Sequence, residues 1–409
     1  MHKLKQARET LLTLYQTALA RVSGREAVRR QLGGGGYDCS LIAIGKAAGA
    51  MAQGAIDQFG SHIIDGLVIS KPGHIDHQSL QTHGLETIEA GHPTPDQRSL
   101  AAGARLLEFL EGLPADRPLL FLISGGASSL VEVLRPGVGP VELEQVNEWL
   151  LANGISITDM NQVRRSLSLI KGGGLLRYIG HRPVELLLIS DVPKDDPAVI
   201  GSGLLVPPVD GLDPPLPRQL PQWIRSLAAG VEESISAPES NLTIHIVASL
   251  REAREAAAAK ARELGYEVIL SHAHISADAA TAGRRLAIEL CEANPGVYIW
   301  GGEPSVQLPE NPGRGGRNQH LALSAATAIA GHDDVFFLSM ATDGGDGPGD
   351  DAGAVVDGGT LRRGERQGMD VLQALDAADS GSFLEASGDL INTGPTGTNV
   401  MDLILGIKL

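Results

Sequence analysis

The chain has 409 residues, 43% hydrophobic, 20% charged and 3% aromatic, with 51 Gly, 23 Pro and a formal charge of 33 − 49 = −16. This composition excludes a disordered or fibrous chain, and an acidic balance without Lys/Arg runs excludes nucleic acid or an anionic membrane as partner. Two domains are expected at this length, and Cys39 and Cys291 are too few for a disulfide framework or a Cys-based zinc site, so buried thiols in a reducing cytoplasm are expected.

The first 22 residues alternate charge with Leu at helical spacing and predict an amphipathic helix rather than an export signal. Strands are predicted over 41–44, 66–69 and 85–89, then a helix over 96–111, a strand over 119–123, a helix over 140–153 and a strand over 185–190. Six prolines in 206–221 remove backbone donors and predict an extended connection, which puts the domain boundary near residue 240. Beyond it come a strand over 243–248, a helix over 251–264, a strand over 267–270, a helix over 277–293, a strand over 296–300, a helix over 318–330 and a strand over 335–340. The recurring strand–helix unit predicts the α/β class with a mainly parallel sheet, split into residues 1–240 and 241–409.

Glycine clusters at joints just beyond predicted strands, where backbone N–H groups can hold anions without an intervening side chain. After strand 119–123, Ser124, Gly125, Gly126, Ser128 and Ser129 form a candidate phosphate cradle. Lys171 before Gly172, Gly173 and Gly174 forms a second, and Arg314 and Arg317 in NPGRGGRNQ suit phosphate or carboxylate recognition. Asp343, nearest the strand end in ATDGGDGPGDDAG, is the best candidate ligand for Mg²⁺, which prefers oxygen donors. Asp191 could bind metal or accept a proton, and Glu303 in WGGEPS is a weaker metal candidate. No His pair has a zinc-site context, while His92 in GHPTPD is placed to allow substrate contact.

Taken together, AIGKAAGAMA, GLVISKPGH, EAGHPTPD, LISGGASSL, LSLIKGGGLL, LLISDVPKDDPAVIGSG, GGEPSVQLPENPGRGGRNQ, ATDGGDGPGDDAGAVVDG and TGPTGTNVMDL resemble the glycerate 2-kinase family, whose C-terminal part carries the MOFRL domain. The resemblance runs in order from residue 43 to 403. It implies two α/β domains, the first Rossmann-like, with the active site in the cleft between them. It also implies phosphorylation of D-glycerate at its 2-hydroxyl by ATP with Mg²⁺, with Lys46 and Arg317 at the positions used for catalysis. The substrates are then small molecules, the location is cytoplasmic, and a homodimer is left open. Departures from the family pattern fall at Ala127, Lys194 and Leu204.

Two other functions compete. A hydroxypyruvate reductase using NAD(P)H would want GxGxxG, but Ala47 stands where the second glycine belongs, and GxxxxGK[ST] is likewise absent. A metabolite-binding protein without catalysis would use the same glycine loops.

Overall fold

The computed structural model describes residues 2–153, 155, 157–208, 216–228 and 241–409. They form two compact units, Ala27–Val247 on one side of the partition and Met1–Glu26 with Ala248–Leu409 on the other. Among the described residues no helix is long and apolar enough to cross a membrane.

The first unit is built on β1 (Cys39–Ile44), β2 (Ile63–Ser70), β3 (Leu85–Glu89), β4 (Leu119–Ile123), β5 (Val184–Ile189) and β6 (Leu242–Ala248), in the order β3-β2-β1-β4-β5-β6. The pairs β1–β2, β1–β4, β2–β3 and β4–β5 are all parallel, which bears out the Rossmann-like expectation. Every residue of β1 and β4 is buried, as unbroken apolar runs require when helices cover both faces of a parallel sheet. Strand order reverses between β1 and β4, so their carboxyl ends flank the crevice where such sheets bind ligands.

The sequence partition and the structure differ at both ends of this unit. The strand expected at 243–248 was assigned beyond the boundary at 240, yet β6 forms the edge of the first sheet, with Val184 N–H donating to Asn241 O at 3.0 Å and Leu242 and Ile246 packed on its core. Residue 240 itself, and 209–215 of the proline-rich connection, lie outside the described residues. At the other end, helix His2–Val22 joins the second unit. Its buried stripe Ala7, Leu11, Leu14, Tyr15, Ala18 and Val22 recurs at helical spacing and packs on helix Leu250–Glu263 and on the second sheet.

That sheet comprises β7 (Val268–Ile275), β8 (Gly296–Gly302), β9 (Val335–Ala341), β10 (Gly353–Asp357), β11 (Leu390–Ile391) and β12 (Asp402–Lys408), ordered β11-β10-β9-β12-β8-β7. Only β7–β8 is parallel; β12 inserts antiparallel between β8 and β9. This insertion sets Asp402, the first residue of β12, opposite Gly302 and Ala341, the last residues of β8 and β9.

Candidate active site

In the first unit the β1 and β4 joints interlock at the carboxyl edge. Lys46 N–H donates to Gly125 O at 2.9 Å, Ala47 N–H to Ser124 Oγ at 3.0 Å, and Ser124 N–H to Ile44 O at 3.0 Å. Gly45 is required here, because a Cβ on it would stand 2.2 Å from Ser124 Oγ. Over the second joint converge Lys46 and His92: the Lys46 Cγ and the His92 ring each lie 3.2 Å from where a Cβ on Gly126 would be. His74 Nδ1 meets Lys46 O at 3.0 Å. Among the described residues no backbone carbonyl outside the helices and strands accepts the Gly125 or Gly126 N–H, and both amides lie beside the lysine. Ser129 Oγ donates to Pro93 O at 2.6 Å and Ser202 Oγ to Ser128 Oγ at 2.8 Å, so these serines hold the loops that frame the joint. Asp191 follows β5 at the same sheet edge and is half-buried.

The triple-glycine joint is built differently. Lys171 is 4% exposed and its ammonium is paired with Glu132, whose other oxygen accepts Ser168 Oγ at 2.6 Å. The N–H groups of Gly172 and Gly173 donate to Ser202 O and Gly203 O at 3.0 and 2.6 Å. Lys171, Gly172 and Gly173 are thus committed to internal bonds that lock this joint to the 202–204 loop.

A cavity of about 510 Å³ opens at the amino edge of the same sheet, lined by Tyr37, Pro118, Pro183, Val184, Glu185, Asn241 and Thr243. None of these is a cation, and its phenol and carboxylate already bond each other at 2.8 Å. The carboxyl edge, with Lys46 and the glycine joint after β4, is the better site for an anion.

In the second unit Arg317 opens helix Arg317–Ile329. Its Nε donates to Asp402 Oδ2 at 2.6 Å, its Nη2 to Asp402 Oδ1 at 3.2 Å and its Nη1 to Glu303 Oε1 at 2.8 Å. The two carboxylates are not equivalent: the Asp402 side chain is 0% exposed and that of Glu303 is 46% exposed. Burial works against the Arg317 charge, but Asp402 and Glu303 more than offset it and hold the guanidinium firmly protonated. Burial pushes Asp402 up to about 6, with Arg317 pulling the other way. Asp346 accepts the N–H groups of Asn318 and Gln319 at 3.0 and 2.8 Å, so an internal carboxylate caps this helix. Its burial raises its pKa, opposed by those two amides.

Arg314 is turned elsewhere, to Glu385 at 2.5 Å and Asp351 at 2.9 Å, and braces the acidic loop. Asp343, two residues past β9, is buried and accepts the Gly345 N–H at 3.1 Å. Among the described residues no group of three or more His, Cys, Asp or Glu is placed to hold a metal ion. The donor chemistry still suits Mg²⁺, which takes one or two carboxylates together with phosphate oxygens and water rather than an all-protein cage.

The two halves of the sequence match known families separately. Residues 10–214 match a domain of unknown function, DUF4147, and residues 296–402 match the MOFRL family. A D-glycerate 2-kinase of Thermotoga maritima is 38% identical over 90% of this chain and 90% of its own. The chain belongs to the glycerate 2-kinase family. A protein of Agrobacterium vitis provisionally named a hydroxypyruvate reductase is 35% identical over 97% of this chain and 93% of its own. A solved glycerate kinase structure from Thermotoga maritima superposes with a TM-score of 0.83 at 33% identity, covering 99% of this chain and 100% of that one.

The departures from the glycerate 2-kinase pattern now have locations. Ala127 packs on Gly201, which has room only because it lacks a Cβ: one there would lie 3.1 Å from the Ala127 methyl. Leu204 is buried in the first core. Lys194 has φ +69°, the left-handed region that costs a side chain roughly 1–2 kcal/mol. Sequence reasoning missed Asp402 as a site residue, although it ends the TGPTGTNVMD stretch, because nothing local shows that it reaches Arg317 85 positions away.

Proposed function

We propose that this protein transfers the γ-phosphoryl group of ATP to the 2-hydroxyl of D-glycerate, releasing 2-phosphoglycerate and ADP. The observation that carries the reading is Arg317, a guanidinium fixed by a fully buried carboxylate where β12 begins beside the ends of β8 and β9, within a chain so similar to a D-glycerate 2-kinase. Phosphoryl transfer asks the protein for positioning and for cationic groups near the phosphate oxygens. Lys46 and Arg317 are the proposed cations, and the Ser124–Ser129 joint, through the amides of Gly125 and Gly126, is the proposed phosphate cradle. Asp402 holds the buried edge of Arg317, while the exposed Glu303 is the partner that an arriving anion would displace. Asp191 is the proposed acceptor of the hydroxyl proton. Asp343 would hold Mg²⁺ together with phosphate oxygens; the bound ion supplies neutralisation of the phosphate charge. The same reading assigns the cytoplasm as the location.

A reductase reading has less support. Gly45 is followed by Lys46 and Ala47, and the Ala47 amide is taken by Ser124 Oγ, so the turn lacks the open glycine approach a dinucleotide pyrophosphate uses. One assay separates the readings: purified protein with Mg-ATP and D-glycerate, followed by ADP release, beside protein with NADH and hydroxypyruvate. Glycerate-dependent ADP release with 2-phosphoglycerate as product is expected. NADH oxidation without ADP release would transfer the assignment to the reductase, and neither reaction would leave a binding protein.

A further inference from the structure

The carboxylates at the edge of the second sheet hang on two loops that reach back to the start of the chain. Ala341 ends β9, and its carbonyl accepts the Tyr15 hydroxyl at 2.7 Å from helix His2–Val22. Thr342, next in line, donates its hydroxyl to Met401 O at 2.6 Å, accepts the Val400 N–H at 2.8 Å and takes the Thr396 hydroxyl on its carbonyl at 2.5 Å. A Cβ on Gly344 would stand 2.0 Å from Gly394 O, so the loops touch backbone to backbone. The second loop is also tied to the start of the chain, by Thr398 Oγ1 donating to Val22 O at 2.6 Å and Gly24 N–H to Gly397 O at 3.0 Å.

We propose that the N-terminal helix is part of the working edge of the second unit, with Tyr15 as a positioning residue that fixes the end of β9 and, through it, Asp343 and Asp402. The proposal rests on the kinase reading for what those carboxylates do. The Tyr15 hydroxyl is buried, and its proton is held well above the usual phenol range by burial and then by the charges of Asp343 and Asp402. It therefore stays a hydrogen-bond donor at any working pH. If Tyr15 only filled space, a phenylalanine ring would serve equally well.

The same helix carries its own control. Arg8 anchors its other end, donating to Val355 O at 2.8 Å and Asp389 Oδ1 at 2.7 Å, against β10 and beside β11. The test compares Tyr15→Phe with Arg8→Ala in steady-state kinetics with Mg-ATP and D-glycerate, at a temperature where both are folded. Thermal midpoints and amide hydrogen exchange over 342–347 and 396–400 complete it. Tyr15→Phe should lower kcat about tenfold, the scale of one well-made buried hydrogen bond, and speed exchange in both loops. Arg8→Ala should lower the midpoint, leave kcat within about twofold and leave loop exchange unchanged, because its contacts lie away from the loops. Wild-type kcat and exchange in Tyr15→Phe, or an equal kcat loss in Arg8→Ala, would overturn the proposal. Wild-type protein without glycerate-dependent turnover would sink the kinase reading alone, and loop exchange would still decide whether Tyr15 holds the loops.

Discussion

Replacing Asp402 by Asn should separate stability from activity. The carboxyl is fully buried and is pushed from 3.8 to about 6 by burial, against the opposing pull of Arg317. At about 1.4 kcal/mol per pH unit, the ionised carboxylate costs the fold about 3 kcal/mol at neutral pH. Because the folded pKa is raised, the stability this group contributes is complete below pH 3.8 and is lost as the pH climbs through about 6. Asn escapes that cost but turns an amide N–H toward the Arg317 Nη2, now 3.2 Å from Asp402 Oδ1, which takes back about 1–2 kcal/mol. Asp402→Asn should therefore be about 1–2 kcal/mol more stable than wild type at pH 7.5. The cost it escapes should roughly halve by pH 5. Its kcat/KM should fall about 100-fold, because Arg317 keeps its charge but loses the carboxylate that sets its orientation. Urea unfolding at the two pH values and the ADP-release assay measure both sides. A variant destabilised by more than about 2 kcal/mol, or one that keeps wild-type turnover, would refute this account of the pair.

Further substitutions test separate parts of the structure. Lys46→Ala and Arg317→Ala should each lower kcat/KM by about 10³ while remaining folded by circular dichroism, since a buried Asp402 left without its cation takes up a proton instead of unfolding the chain. Glu132→Gln should cost about 3–5 kcal/mol in urea unfolding by stranding Lys171, and the double change Glu132→Leu with Lys171→Met should recover most of it; a single variant as stable as wild type would contradict a buried ion pair. Lys194→Gly should gain about 0.5–1 kcal/mol, the relief of a left-handed lysine less the entropy that glycine adds to the unfolded chain, and a loss of stability would show that the lysine side chain earns its place.

Much of the first unit was legible because its signals are local. Apolar runs such as Leu119–Ile123, each followed by a glycine joint, mark buried parallel strands and their carboxyl ends whatever the rest of the chain does. The second unit was harder to read. Gly353–Asp357 sits inside an Asp- and Gly-rich run that reads as a loop, and it is a strand only because β9 offers it an antiparallel partner. The first unit also holds a misleading signal: Lys171 beside three glycines reads as an anion site until Glu132, 39 positions earlier, is found against its ammonium.

The sequence by itself determined the α/β class, the strand–glycine–helix joints and the positions of Lys46, Ser124, Asp343 and Arg317 at strand ends or helix starts, because periodicity and turn chemistry are properties of neighbouring residues. Tertiary structure alone decided which of those charges are available. Only the antiparallel insertion of β12 brings Asp402 to Arg317, and only the packing of the first helix brings Tyr15 to Ala341, 326 positions away. Pairings of that range depend on which surfaces bury each other, and no local pattern encodes them.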